Sequence, residues 1–220
     1  MSIKVLPKNF SKGIGYDLQV ANEDATVQDY LDAINQYILE GNFTRLRQQV
    51  KQCEGCEGCC AERIPLTIID LYNLQKALEL GQGELPMDKI ISKYTYVQAE
   101  GPVVDIALGQ NSAGNCLFLD PKEKRCTIYG NRPLVCQTYI CAPASPRAQK
   151  LREKIVNMGE DQLVKWCLEN IPQDRLFHEA WEPRVRIEDW ENTPFADKKN
   201  YSEVPLKNIC PPKFWQALKG

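Results

Sequence analysis

Histidine is almost missing from this chain: His178 is the single one among 220 residues. A zinc site here must therefore be all cysteine, or cysteine with carboxylate, and a Cys–His nucleophilic dyad would have only His178 as its base. Placed between Phe177 and Glu179 in a stretch of helical character, His178 reads as a surface or packed residue. Long apolar runs are missing too, since nothing approaches the roughly 18 residues of a membrane span. The opening Met1-Ser2-Ile3-Lys4-Val5-Leu6-Pro7-Lys8 has neither an apolar h-region nor a cleavage pattern. The expectation is a soluble, cytoplasmic protein with no membrane contact. No charge of one sign dominates: 27 Lys and Arg face 29 Asp and Glu, which argues against nucleic acid as a partner. The sequence also lacks G-x-G-x-x-G, a phosphate-binding Gly-Lys-Ser/Thr loop, H-E-x-x-H, G-x-S-x-G, internal repeats and low-complexity tracts.

Cysteine is what the chain has in excess, ten in all. Cys53-Glu54-Gly55-Cys56-Glu57-Gly58-Cys59-Cys60 packs four into eight residues. A C-x2-C turn brings two thiolates to one side of a tight loop, and glycine lets backbone N–H groups approach the sulfurs, so the stretch suits Zn²⁺ or an iron–sulfur cluster. Cys116, Cys126, Cys136 and Cys141 form a second group. In a reducing compartment such cysteines are ligands or redox groups before they are disulfides. Cys167 reads as a packed thiol in a helix.

The two groups carry a resemblance. CxxCxxCC at Cys53 to Cys60 is followed by C-x-FL at Cys116-Leu117-Phe118-Leu119, C-x-IY at Cys126-Thr127-Ile128-Tyr129 and RP-x-x-C at Arg132-Pro133-Leu134-Val135-Cys136. This pattern resembles the YkgJ-like cysteine-cluster family, a zinc- or iron-chelating domain, over about Gln52 to Cys141. The resemblance implies metal binding without choosing between zinc and iron and without naming a reaction. Gln137 stands where the family often has a basic residue.

The remaining chain reads as scaffold. Residues 1 to 25 show no clear period and suggest an extended arm or irregular cover. Thr26-Val27-Gln28-Asp29 fits a capping box, and Val27, Tyr30, Leu31, Ile34 and Ile38 predict a helix to Glu40 before Gly41. Phe43, Leu46 and Val50 predict a second helix entering the cysteine loop, with Arg45, Arg47 and Lys51 either beside the thiolates or on a solvated face. Thr67-Ile68-Ile69-Asp70 is another capping box, for a helix stopping at Gly81. A shorter helix is expected from Leu85-Pro86-Met87 to about Lys93, and a strand in Gly101 to Gly109. Leu117 to Leu119 and Thr127 to Tyr129 are expected to pair as a small hairpin flanked by Cys116 and Cys126. Arg132-Pro133 starts a turn or short helix, with Arg132 either bonding sulfurs or fixing the backbone. Two helices follow, Arg147 to Met158 and Asp161 to Asn170, then a Pro- and aromatic-rich wrap.

The expected architecture is α-rich α+β, with helices around a small antiparallel hairpin and a cysteine-rich metal site. Residues 1–42 form an N-terminal arm and helix, 43–145 the cysteine-cluster domain, and 146–220 a helical and extended wrap on the same core. The candidate ligands are Cys53, Cys56, Cys59, Cys60, Cys116, Cys126, Cys136 and Cys141. Neighbouring side chains diverge, so Cys59 and Cys60 do not readily share one mononuclear ion. Three models follow: two all-thiolate zinc centres mixing both groups; an iron–sulfur cluster on Cys53, Cys56 and Cys59, with a fourth ligand from Cys116, Cys126, Cys136 or the remote Cys210; or thiol–disulfide redox chemistry. The C-x2-C-x2-C spacing tips the balance slightly toward iron. Functionally, a metal-binding scaffold that leaves room for a protein partner stands beside a metal-dependent redox or modifying enzyme.

Overall fold

The computed structural model describes residues 2–46, 56–82, 85–177 and 184–219. Eight helices and six strands make up a mixed α+β fold among these residues, with three separate two-stranded antiparallel sheets.

The first sheet decides between the two expectations for the N-terminus in favour of extended chain, and adds that this chain is a paired hairpin. β1 (Ile3–Phe10) and β2 (Gly13–Val20) pair in full register from Ile3 opposite Val20 to Phe10 opposite Gly13. Only β2 and Ile3 bury side chains, so β1 is mostly exposed and carries no apolar alternation for a sequence reading to detect. Gly13 closes the turn at φ +118°, and a side chain there would collide with Thr44, whose hydroxyl accepts from Ile14 N–H.

α1 (Val27–Glu40) matches its prediction at both ends. Thr26 and Asp29 form the reciprocal capping box, and Gly41 ends the helix in the left-handed region. The expected second helix does not start at Phe43: residues 42–46 are irregular, and the remainder of that expectation lies outside the described residues. Arg47 and Lys51 lie there too. α2 (Ile68–Gln82) begins as expected after Thr67, and α3 (Met87–Tyr94) follows. β3 (Thr95–Glu100) and β4 (Val103–Leu108) form the second sheet. β3 is an addition to the sequence reading, continuous with α3 and without a turn residue to announce it. The chain leaving the cysteine loop is sewn to β4: Leu66 N–H donates to Ile106 O (2.9 Å) and Leu108 N–H to Ile64 O (2.8 Å).

The third sheet pairs β5 (Leu119–Asp120) with β6 (Arg125–Cys126). The predicted hairpin exists, but it is shorter and shifted toward its turn, so that Cys126 lies within a strand. α4 (Leu134–Thr138) follows Arg132-Pro133. α5 (Pro146–Asn170) is one helix of 25 residues where two were expected. Gly159, the apparent break, is a point of close packing: a Cβ there would stand 2.5 Å from Thr67 Cγ2 and 3.3 Å from the Phe195 ring. Gly159→Ala is expected to lower stability by about 1–3 kcal/mol through overpacking, outweighing the roughly 1 kcal/mol of helix propensity it adds. Denaturant melts of both proteins check this.

α6 (Gln173–Leu176), α7 (Leu206–Ile209) and α8 (Pro212–Lys219) complete the chain, so the C-terminal wrap holds short helices. Its Phe195, Tyr201, Val204, Leu206 and Leu218 join one continuous apolar cluster with Ile3, Tyr30, Leu74 and Leu151.

Glu160 of α5 reaches β4, where its carboxylate accepts from Ile106 N–H at 3.1 Å. Burial pushes its pKa up to about 7, with Asp105 and Asp161 adding repulsion and Arg63 opposing it. The folded state therefore holds this proton more tightly than the unfolded chain does. The resulting stabilisation is complete below about pH 4.5 and is lost as pH rises through about 7, amounting at most to about 3 kcal/mol. Asp70, pushed to about 6, acts in the same direction. Glu160→Gln keeps the acceptor and removes the charge. It is expected to flatten the decline between pH 5 and 7.5 and to leave the variant more stable than the parent at pH 8, as read by chemical denaturation across pH.

Candidate metal centre

The two cysteine groups meet because their backbones are bonded to each other. Cys116 N–H donates to Cys60 O at 2.7 Å, and Gln110, opposite Cys116 in a bridge, reaches back to the carbonyls of Ala61 and Glu62. Cys60 is held in its turn by a bond to Glu57 O, and Glu62 N–H donates to Cys59 O. Cys126 enters from β6, Cys136 from α4, and Cys141 from the segment after it, where Leu46 N–H donates to Cys141 O.

Seven of the eight predicted cysteines, Cys56, Cys59, Cys60, Cys116, Cys126, Cys136 and Cys141, border one cleft of about 350 Å³. All seven are partly buried. Cys53 lies outside the described residues, as do Glu54 and His178. Among the described residues no three His, Cys, Asp or Glu side chains stand close enough to enclose an ion. The cysteines share a cleft, then, and a metal would have to draw them inward.

The donor chemistry fits such a group. Phe118 N–H points at Cys116 Sγ (3.4 Å), and Ile128 N–H acts on Cys126 in the same sense. Each donor lies two residues after its cysteine, a placement that favours the thiolate, the form that binds metal. Burial and mutual repulsion act in the opposite direction. Burial, then Cys116, Cys126 and Cys56, push the Cys60 thiol up to about 11. Burial also raises Cys116 and Cys126, and takes Cys136 well above the ordinary thiol value with help from Cys116, Asp70 and Cys126. Thiols crowded this way repel as anions, and a bound cation relieves that repulsion.

Arg132 takes the backbone-fixing role of the two expected, and among the described residues it makes no hydrogen bond to a sulfur or carboxylate. Its Nε donates to Tyr129 O at 3.1 Å and its guanidinium lies 3.8 Å from the Tyr129 ring centroid, which fixes the turn, while its charge favours the thiolates of Cys126 and Cys136. Gln137 is scaffold: it donates to Arg132 O (2.7 Å) and accepts from Asn35 (3.2 Å), tying α4 to α1. Arg45 borders the cleft and lies over Phe43. Glu57 pairs with Lys124 at 3.0 Å on the surface.

Cys167 and Cys210 do not border this cleft. Cys167 is fully buried in α5, as expected of a packed thiol. Cys210 ends α7 within the apolar cluster, and the field of Lys154 acts on it.

One residue that matters here escaped the sequence reading in its full role. Asp70 caps α2 as predicted, but it is completely buried and also accepts from Leu134 N–H (2.8 Å) and Tyr201 Oη–H (2.5 Å). Leu134 opens α4, so this carboxylate positions the helix that carries Cys136. The capping box signalled Asp70, but nothing local signalled its two distant donors.

Residues 52–166, just over half of the chain, match the model of the CxxCxxCC family, described as a "putative zinc- or iron-chelating domain". A curated relative, an uncharacterized protein of Methanocaldococcus jannaschii, is 31% identical over 85 residues, covering 39% of this chain and 41% of that protein. This chain thus spans less than half the length of that relative. No solved structure matches the chain. No helix among the described residues is long and apolar enough to cross a membrane.

Proposed function

Because the chain belongs to the CxxCxxCC family, we propose that it binds one metal centre or two through cysteines of both groups, an iron–sulfur cluster in preference to zinc. The observation that carries this reading is the convergence of seven cysteines on one cleft, with the two groups joined by the Cys116-to-Cys60 backbone bond. In this reading residues 43–145 form the metal-binding unit, and 1–42 and 146–220 support it. Cys53, Cys56 and Cys59 hold three corners of the cluster, and Cys116, Cys126 or Cys136 supplies the fourth. Cys210, buried away from the cleft lining, is left out. A cluster bound here would supply one-electron chemistry, whereas zinc would cross-link the loop to the third sheet and α4.

The cleft favours a second reading, a metal-dependent redox or modifying enzyme. Beyond the thiols its wall is largely apolar, with Ile38, Ile64, Leu108, Phe118 and Tyr139, as a pocket for a small organic substrate would be. Thiol–disulfide exchange has less support, because the raised thiols of Cys60 and Cys136 oppose the low pKa that a reactive cysteine needs.

Metal and acid-labile sulfide content of protein purified without oxygen, with its visible spectrum, tests the proposal. Iron with sulfide and a broad brown absorbance is the expected result. Zinc without sulfide would refute the cluster and leave the scaffold, and no metal at all would refute both.

A further inference from the structure

Behind the Tyr139–Cys141 wall of the cysteine cleft lies a second cavity, of about 280 Å³. Its chemistry differs from that of the first. Arg152 of α5 borders it and meets no acidic side chain among the described residues; its described contact is with the Tyr139 ring at 5.9 Å. Tyr16 borders the same cavity, is 2% exposed, and has a hydroxyl without a protein partner among the described residues. Tyr30, completely buried, also has an unpartnered hydroxyl, and the fields of Tyr16 and Arg152 act on it. A buried hydroxyl without a partner costs about 1–3 kcal/mol. The Tyr16 hydroxyl and the Arg152 guanidinium border the cavity together, so it presents two donor groups that meet no acceptor among the described residues.

The arrangement is rigid. Tyr16 N–H donates to Pro143 O and Ser145 N–H to Tyr16 O, both at 2.9 Å, which locks β2 to the segment that forms the cavity's far wall. Gln149 on the rim is uncharged and donates through Nε2 to Glu153 (2.9 Å), so it brings no negative charge to Arg152.

We infer that this cavity binds a small monocarboxylate, with its carboxylate on the Arg152 guanidinium and the Tyr16 hydroxyl. One positive charge with neutral donors balances one negative charge, which suits a carboxylate better than a phosphate dianion. The planar guanidinium fork matches a carboxylate's two oxygens. Leu46, Ile140 and Ala142 supply an apolar wall for a short aliphatic body. Tyr139 and Cys141 border both cavities, but neither donor assigned to the carboxylate is a candidate metal ligand.

Calorimetric titration of sodium butyrate into the purified full chain, at ionic strength held constant with chloride, tests it. Saturable one-to-one binding is expected, with a dissociation constant on the order of 1 mM. Arg152→Met should weaken it about tenfold or more, and Tyr16→Phe about threefold. Should Arg152→Met fail to fold, Arg152→Lys keeps the charge without the fork and should still weaken binding severalfold. Absence of saturable binding, affinity unchanged by both Tyr16→Phe and Arg152→Lys, or inorganic phosphate binding more tightly than butyrate would each overturn the assignment. So would loss of butyrate binding in a folded Cys126→Ser protein, because butyrate would then sit in the cysteine cleft.

Discussion

Cys126→Ser and Cys56→Ser are each expected to reduce bound metal from stoichiometric to about a tenth or less, while Cys167→Ser retains it. Changes merely adjacent to a metal ligand commonly cost about 10–100-fold in affinity, so removal of a ligand should cost at least that much. Cys126 is a suitable position because two influences on its sulfur suit a thiolate and not a packing residue: the nearby Ile128 N–H and the charge of Arg132. It is also only partly buried, so an oxygen in place of sulfur disturbs little packing. Cys167 is the converse. It is fully buried among apolar neighbours, so Cys167→Ser is expected to destabilise by about 1–3 kcal/mol through burial of an unpaired hydroxyl while leaving metal content unchanged. Elemental analysis beside a thermal melt separates the two effects. Full metal content in both Cys56→Ser and Cys126→Ser would remove the assigned ligand set.

The largest expected loss of stability follows Asp70→Ala. Four donors converge on this carboxylate: Thr67 N–H (2.9 Å), the Thr67 hydroxyl (3.0 Å), Leu134 N–H (2.8 Å) and Tyr201 Oη–H (2.5 Å). The Tyr201 oxygen also lies 2.8 Å from the Thr67 hydroxyl, whose single hydrogen is shared between it and Asp70, so one small network links α2, the start of α4 and the C-terminal wrap. Deleting the acceptor leaves donors stranded away from water at about 1–3 kcal/mol each, partly relieved by solvent entering the space. A net loss of about 3–5 kcal/mol is expected, large against a total of roughly 5–15 kcal/mol for a native domain. Tyr201→Phe, which removes one donor and leaves the carboxylate three, should cost only about 1–2 kcal/mol. Because Leu134 N–H anchors the helix bearing Cys136, Asp70→Ala should also weaken metal uptake at temperatures where the chain remains folded. Equal losses in Asp70→Ala and Tyr201→Phe would contradict the convergent network.

Contiguous residues by themselves determined much of this protein. The Thr26–Asp29 and Thr67–Asp70 capping boxes place α1 and α2, since a cap and its helix are neighbours in the chain. The same holds for the CxxCxxCC, C-x-FL and C-x-IY runs, whose spacings mark the ligand candidates before any fold is known. Where a decision rested on a distant partner, the sequence pattern misled or was silent. Gly159 looks like a helix break until the Thr67 methyl is found in the space a side chain would need. β1 looks irregular until β2 supplies its hydrogen bonds. Asp70 looks like a simple cap until Leu134 and Tyr201, 64 and 131 residues away in sequence, bring their donors to it. Which cysteines share a cleft was likewise decided by tertiary structure, through long-range bonds such as those from Cys116 to Cys60 and from Leu46 to Cys141. Caps, turns and ligand spacings act over a few residues and can be read in order, whereas packing and the satisfaction of buried polar groups join residues that only the folded chain brings together.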